Sequence, residues 1–339
     1  MIEAPESVEV AAALAGDHSA FERLTTRYRR ELLVHCYRIL GSFEDAEDVL
    51  QETLLLAWRR LASFEGRAPL RAWLYKIANN TALNAQAGLR RRSLPTATHA
   101  AADPHAPLLA PNHEILWLEP LPDALLTASS ASPEAIYDLH ESVTLAFLAA
   151  LQHLPGRQRA ALILRDVLGW KATEVAELLD MSVIAVNSAL QRARETMKAR
   201  RPAIVTGAIA PATDERTATL LARYVQAWEA TDTPLLATLL RDDAVLTMPP
   251  VPSWYRGRAA IGEFFATQFA GQARGSYRLA PTKANGGPAF GLYKQDPAGV
   301  YQPMALQVLS ITGDQIAEIH AFQAIDDRLF TRFSLPLAR

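Results

Sequence analysis

The chain has 339 residues, 50% of them hydrophobic and 21% charged, with a formal net charge of -2. That balance excludes a disordered chain and leaves room for two or three separately packed cores. A single cysteine, Cys36 in LLVHCYRIL, excludes a disulfide framework and reads as a buried thiol; zinc-ligand spacing is absent. No apolar run nears the ~20 residues that cross a bilayer, and MIEAPESVEV lacks the basic start and apolar core of a leader. The expectation is a cytoplasmic protein with no membrane partner.

From about Phe21 to Arg92 the pattern is helical. In 43-FEDAEDVLQETLLLAWRRL-61, Ala46, Val49, Leu50, Thr53, Leu54, Ala57 and Leu61 form one stripe at steps of three and four. Glu44, Asp45, Asp48, Gln51 and Glu52 make the other face acidic. Such a face is either a solvated surface or a surface that a basic partner helix reads. The next segment, 70-LRAWLYKIANNTALNAQAGLRRR-92, buries Leu70, Trp73, Leu74, Ile77, Ala78 and Leu83 by its spacing. It also carries Tyr75, Lys76, Asn79, Asn80 and Asn84, and it ends in Arg90, Arg91 and Arg92.

Residues 93–132, rich in Pro, Ala, Thr and Ser, read as a linker. Between Arg92 and Arg157 there is no Lys or Arg, so this stretch is acidic between two basic clusters. Within it, WLEPLPDALL (117–126) has the apolar content to dock onto a folded neighbour. The helical pattern returns over 133–201. There LGWKATEVAELLDMSVIAVNSALQRARETMKARR predicts a helix over 172–179, a turn at Asp180 to Ser182, and a second helix from Ile184. Ser182 suits the N-cap, while Ala176, Leu179, Val186 and Leu190 face inward. Outward lie Asn187, Ser188, Gln191, Arg192 and Arg194, side chains that pair with base edges, then Lys198, Arg200 and Arg201, which suit phosphates. An ordinary helical hairpin would show the same apolar spacing.

After a second linker at 202–212 the character changes. TATLLARYVQAWEATDTPLLATLLRDDAVLTMPPVPSWYRGRAAIGEFFATQF predicts a long helix, a short one, a strand over 244–248, a loop, and a helix over 258–268. Strands follow over 277–280, 284–293, 302–312 and 315–324, with NGG, DPAG and TGD as turns.

DAEDVLQETLLLAW, RAWLYKIANNTALN and the helix-turn-helix, in that order, resemble the extracytoplasmic-function (ECF) sigma factors of bacterial RNA polymerase. The last third, with WYRG at 254–257, resembles the SnoaL-like, nuclear-transport-factor-like α+β cone, and WLEPLPDALL resembles the ECF group that carries it. The resemblance implies a multidomain fold: sigma region 2, an all-α bundle (1–92); the linker (93–132); sigma region 4, an all-α helix-turn-helix (133–201); a linker (202–212); and the cone (213–339). It implies core RNA polymerase and promoter DNA as partners, with no cofactor or metal. Asp45, Asp48, Leu50, Gln51, Glu52 and Leu55, with Leu54, would face the polymerase. Phe64, Arg67, Asn80, Asn84, Arg90 and Arg91 would hold minus-ten DNA, with Trp73 packed in the bundle. Ser182, Asn187, Ser188, Gln191, Arg192, Arg194 and Lys198 would hold the minus-thirty-five element. The cone would enclose a pocket for a small-molecule ligand, lined by Trp254, Tyr255, Phe264, Phe265, Phe290, Met304 and His320. Asp243 and His320 are its candidates for proton transfer, against ordinary roles as a turn residue and a core histidine. The expected function is promoter recognition and transcription initiation tuned by a non-catalytic cone. The alternatives are a SnoaL-like enzyme, or a small-molecule-gated regulator, fused to a DNA-binding module.

Overall fold

Four helices follow one another at the N-terminus: α1 (Ala4–Leu14), α2 (His18–Leu40), α3 (Phe43–Arg60) and α4 (Leu70–Gln86). The computed structural model describes residues 4–66, 68–88, 90–126, 138–200 and 215–338. Within it the chain forms two units: Met1–Arg92 with Leu125–Ser142 and Phe147–Arg201, and Ser93–Ala124 with Val143–Ala146 and Pro202–Arg339.

Local chemistry sets the helix ends of the first unit. Asp17 accepts from the backbone N–H groups of Ser19 and Ala20 at the start of α2. Gly41 ends α2 with φ +74°, a left-handed conformation that glycine adopts without a Cβ penalty. Ser42 then caps α3 by accepting from the Asp45 N–H. The stripe Ala46, Val49, Leu50, Leu54 and Ala57 packs inward with Leu70, Leu74, Ile77 and Ala78 of α4. Cys36 lies buried among them, and burial pushes its thiol up to about 12. His35 is also buried, its ring 5.0 Å from that of Tyr75. Burial first, and the Arg38 charge second, pull its imidazole down to about 3.

Helices α5 (Leu145–Leu151), α6 (Gly156–Leu162), α7 (Ala172–Leu179) and α8 (Val183–Arg200) follow. Asp180 stops α7 in the left-handed region at φ +51°. Ser182 accepts from the Ala185 N–H at 3.2 Å and opens α8. Short polar side chains tolerate that turn.

In the second unit, α9 (Glu215–Ala230), α10 (Thr233–Thr238) and α11 (Arg258–Phe269) accompany six strands. These are β1 (Leu240–Met248), β2 (Val251–Arg256), β3 (Tyr277–Ala284), β4 (Gly287–Gln295), β5 (Tyr301–Thr312) and β6 (Gln315–Gln323), followed by α12 (Arg328–Arg332). Their order is β2-β1-β6-β5-β4-β3, antiparallel except for β1 with β6. Leu220, Tyr224 and Trp228 of α9, Phe264, Phe265 and Phe269 of α11, and Leu246, Phe290, Leu292, Ile319 and Ala321 of the sheet share one core. Strand β2 occupies the stretch where the sequence predicts a loop. Its one proline, Pro252, stands on an edge strand, where a missing N–H donor costs little, and the cis Pro249–Pro250 bond lies in the turn.

Residues 93–124 are not an independent linker; they are built into the second unit. The Ala102 N–H donates to the Trp254 carbonyl at 2.7 Å, the Asn112 N–H to Pro250 at 3.0 Å, and the Leu109 N–H to the Ser253 hydroxyl at 3.1 Å. The contacts to Trp254 and Ser253 satisfy groups on β2, and the one to Pro250 lies in the turn before it; the open edge of β2 would otherwise offer a pairing template. Farther on, the Leu121 N–H donates to Asn285 Oδ1 and the Asn285 N–H to the Leu121 carbonyl, both at 3.0 Å. Asn285 Nδ2 donates to the Val143 carbonyl at 2.7 Å. So WLEPLPDALL docks in part on the β3–β4 turn; residues 127–137 lie outside the described residues.

Asn285 sits at φ +53°, so Asn285→Gly removes the side chain and keeps the backbone accessible. It leaves buried groups on residues 121 and 143 unpaired, and local stability should fall by about 1–3 kcal/mol. Hydrogen exchange at Leu121 should quicken accordingly; unchanged protection would refute the anchoring role. His35 links stability to pH. Its folded value lies below its unfolded 6.5, so protons favour the unfolded state once pH drops under about 6.5, and stability is lost progressively towards about 3. At pH 5 the loss should be about 2 kcal/mol. In urea melts at pH 7 and 5, His35→Gln should flatten this difference.

Candidate nucleic-acid interface

Helix α3 turns its acidic side outward. Asp48, Gln51 and Glu52 are exposed, and Asp45 is held by Arg92 at 2.6 Å. Leu55 is 43% exposed. Leu50 and Leu54, expected as anchors for the polymerase, are buried at 8% each and belong to the bundle. Leu50 stands four residues after Ala46 and four before Leu54, and Leu54 three before Ala57, so both fall on the inner stripe, and that spacing outweighs their apolar character as anchors.

On α4, Asn80 and Asn84 stand one turn apart on the exposed face, where their amides can meet base edges or backbone. Asn79 points the other way and is fully buried. Phe64 is half-buried against Trp73, with ring centroids 5.3 Å apart, in a cluster with Ala13 and Trp58. Trp73 therefore packs as expected, and Phe64 is partly committed to it. Arg90 and Arg91 are exposed, and Arg91 Nη1 lies 2.9 Å from His153 Nδ1. Arg67 and Arg201 lie outside the described residues.

On α8, Val186, Ala189, Leu190 and Ala193 are buried, while Ser182, Asn187, Ser188, Gln191, Arg192, Arg194 and Lys198 are exposed. The helix thus presents a polar face of amides, hydroxyls and cations. Two of these groups hold internal partners. Arg194 makes a fork on Asp166 at 2.9 and 2.6 Å, which raises its pKa, and Gln191 donates to Glu195 at 3.1 Å. The Asp166 fork fixes the direction of the guanidinium, and sequence spacing gave no sign of it.

The α2–α4 bundle and the α6–α8 segment are joined within the first unit. Lys76, one turn before Asn80, donates to Asp180 Oδ1 at 2.7 Å and to the Glu177 carbonyl at 3.3 Å. Trp170 packs on Tyr75 at 5.2 Å, and the Arg71 guanidinium lies 5.7 Å from the Trp170 ring. Deeper, Arg159 is 1% exposed and donates to the Ile39 carbonyl, to Gln152 Oε1 at 3.0 Å and to the Leu154 carbonyl at 3.2 Å. Arg38, equally buried, donates to the Ser142 hydroxyl at 2.8 Å. Burial pulls both guanidinium groups down to about 10, so both remain charged at neutral pH.

In the second unit the residues expected to line one pocket divide between two faces. Tyr255, Phe264, Phe265 and Phe290 are in the helix-covered core, with Met304 packed against it. Trp254 and His320 alternate with core residues Tyr255, Ile319 and Ala321, so they stand on the opposite face of the sheet. Trp254 Nε1 donates to the His99 carbonyl at 2.9 Å. His320 Nδ1 is 2.8 Å from Thr247 Oγ1 and its Nε2 is 3.2 Å from Glu318 Oε2, all three buried or nearly so. The His320 hydrogen bond holds the Glu318 carboxyl below the usual range against the opposing effect of burial. Asp243 is exposed and paired with Arg241 at 2.9 and 3.0 Å. The two candidates for proton transfer thus do not meet in a common site.

A helix-turn-helix with an outward face of amides and cations, beside an acidic-faced helical bundle, is the architecture of a DNA-binding protein, here with an additional α+β domain. Family comparisons agree: Sigma-70 region 2 matches residues 24–93, Sigma-70 region 4 matches 144–197, and a SnoaL-like domain matches 221–328. The ECF RNA polymerase sigma factor SigG of Mycobacterium tuberculosis is 46% identical over 322 residues, covering 95% of this chain and 84% of SigG. The RNA polymerase sigma-H factor of Pseudomonas aeruginosa is 31% identical over 188 residues, covering 55% of this chain and 89% of its own. The crystal structure of the Mycobacterium tuberculosis sigma factor SigJ shares the fold, with a TM-score of 0.56 at 20% identity over 91% of this chain and 97% of SigJ. The chain belongs to the ECF RNA polymerase sigma factors. It carries, beyond regions 2 and 4, a C-terminal SnoaL-like domain.

Two substitutions separate the deep joint from the surface one. Arg159→Ala strands the Ile39 carbonyl and Gln152 in a cavity and should lower the first unit's stability by about 3 kcal/mol or more in urea melts. Lys76→Ala removes an exposed pair and should cost about 1 kcal/mol or less. Equal costs would show that the buried guanidinium does not hold the joint.

Proposed function

We propose that α3 docks on core RNA polymerase through Asp48, Gln51, Glu52 and Leu55, that α4 and its preceding loop receive minus-ten DNA, and that α8 reads the minus-thirty-five element. The SnoaL-like domain tunes initiation as a non-catalytic module, in the cytoplasm where polymerase acts. The observation that carries the reading is the two exposed polar faces, Asn80 with Asn84 and Asn187 to Lys198, on helices whose opposite sides are buried. Amides and guanidinium groups match base edges and phosphates, and an acidic face steers docking onto a basic partner. Elements 25 base pairs apart are separated by about 85 Å along B-form DNA. In the described arrangement Lys76 of α4 touches Asp180 beside α8, so reading both elements requires this joint to open. The seven residues expected to line a ligand pocket divide between the two faces of the sheet, so tuning belongs to the domain as a whole rather than to a ligand held by those residues.

Run-off transcription with core polymerase on promoter fragments tests this. The protein should be required for initiation, and a chain ending at Arg201 should initiate at an altered rate. Asp48→Lys or Glu52→Lys should weaken polymerase binding roughly tenfold each. Asn80→Ala with Asn84→Ala should reduce promoter opening while polymerase binding persists. Initiation indifferent to all four substitutions would overturn the assignment.

A further inference from the structure

Among the described residues, Ile184 is an apolar side chain with 79% of its surface exposed, in the first turn of α8. Single exposed apolar residues are common, so exposure alone carries nothing. Its position does. At 100° per residue Ile184 falls on the outward stripe with Asn187, Ser188 and Gln191, opposite buried Val186, Ala189 and Ala193. In the protein alone it adds nothing to the core, and Ser182 already supplies the cap. A β-branched residue is also a poorer helix former than the Lys, Glu or Gln that solvent would favour there. Val183 beside it is 38% exposed and extends the apolar step.

The first turn of the second helix in a helix-turn-helix is the part that meets base edges. On those edges the one apolar group is the C5-methyl of thymine. We propose that Ile184 is a specificity-determining residue that reads a thymine methyl in the minus-thirty-five element. Asn187, Ser188 and Arg192, one to two turns on, read the adjoining hydrogen-bonding edges. This proposal rests on the assignment of α8 as the promoter reader.

The test uses the full chain with core polymerase on a promoter from which it initiates. Each thymine of the minus-thirty-five element, on either strand, is replaced in turn by deoxyuridine, which lacks the methyl and keeps the hydrogen-bonding edge. Loss of one buried methyl corresponds to about fourfold in affinity. At one position the wild-type protein should weaken about fourfold, and Ile184→Ala should be equally weak on thymine and deoxyuridine templates. A matching thermal melt shows that the exposed substitution leaves the fold intact. The proposal is overturned if no thymine is sensitive, if the element holds none, or if Ile184→Ala weakens both templates by the same factor and keeps the wild-type sensitivity. If the wild-type chain initiates from no promoter fragment, the promoter-reading assignment falls first, and this proposal with it.

Discussion

The first unit turns on two guanidinium groups buried at one helix end. Arg159 donates to the Ile39 carbonyl, one of the last carbonyls of α2, and Arg38, inside the same final turn, donates to Ser142. The last carbonyls of a helix have no intrahelical partner and carry its partial negative charge, so a cation there is stabilised without a carboxylate. A planar fork also restricts the direction from which α6 can approach α2. The positions of α7 and α8 follow from that approach, and so do the Lys76–Asp180 and Tyr75–Trp170 contacts nearer the surface.

A buried cation is not a simple gain. The Nε atoms of Arg38 and Arg159 have no hydrogen-bond partner, and desolvation lowers both pKa values. Removing either arginine would be costly because its partners stay buried, yet the intact arrangement carries a desolvation penalty that water would relieve. The joint is therefore specific in geometry and modest in net stability. The aromatic core of the second unit differs. There Trp228 meets Phe265, Phe269 and Tyr277 edge-on at 5.2 to 5.5 Å, and the polar contact Tyr224–Gln307 is made at 2.8 Å. Such burial favours one closed packing and gives water little to reclaim.

Periodicity made the helices legible. Capping and turn chemistry placed α7, the Asp180 turn and α8 within a residue or two, because Ser182 and the short polar turn residues act locally. Leu50 and Leu54 show the limit of residue-type reasoning: the same spacing that identifies the stripe buries them, so family expectation and pattern conflicted and the pattern prevailed. Strand β2 was missed because Pro249, Pro250 and Pro252 argue for a loop, whereas the short hairpin that pairs Val245 with Arg256 and Met248 with Val251 accommodates Pro252 on a sheet edge. The linker's capture by Asn285 is a different case, a tertiary contact beyond any sequence window, since Leu121 and Asn285 are 164 residues apart. His320 and Trp254 were assigned to a pocket by chemical type. A one-residue alternation along β6 and β2 sends them to the other face, and that register is fixed only when Thr247 pairs with both.

Reading two promoter elements with one chain demands a contradiction of the joint. With α4 and α8 as the proposed readers, the contacts that hold α4 beside α7 have to give way when duplex DNA separates the elements by tens of ångströms. Joints dominated by apolar area would resist this, since opening would expose the whole surface to water at roughly 25 cal/mol per Å². At this joint the exposed pair Lys76–Asp180 exchanges one set of polar partners for water, and Arg38 and Arg159 recover hydration when they open. The Tyr75–Trp170 packing is lost outright on opening, whereas the charged groups of the joint regain hydration. That choice of chemistry fits a protein whose working state differs from its resting one.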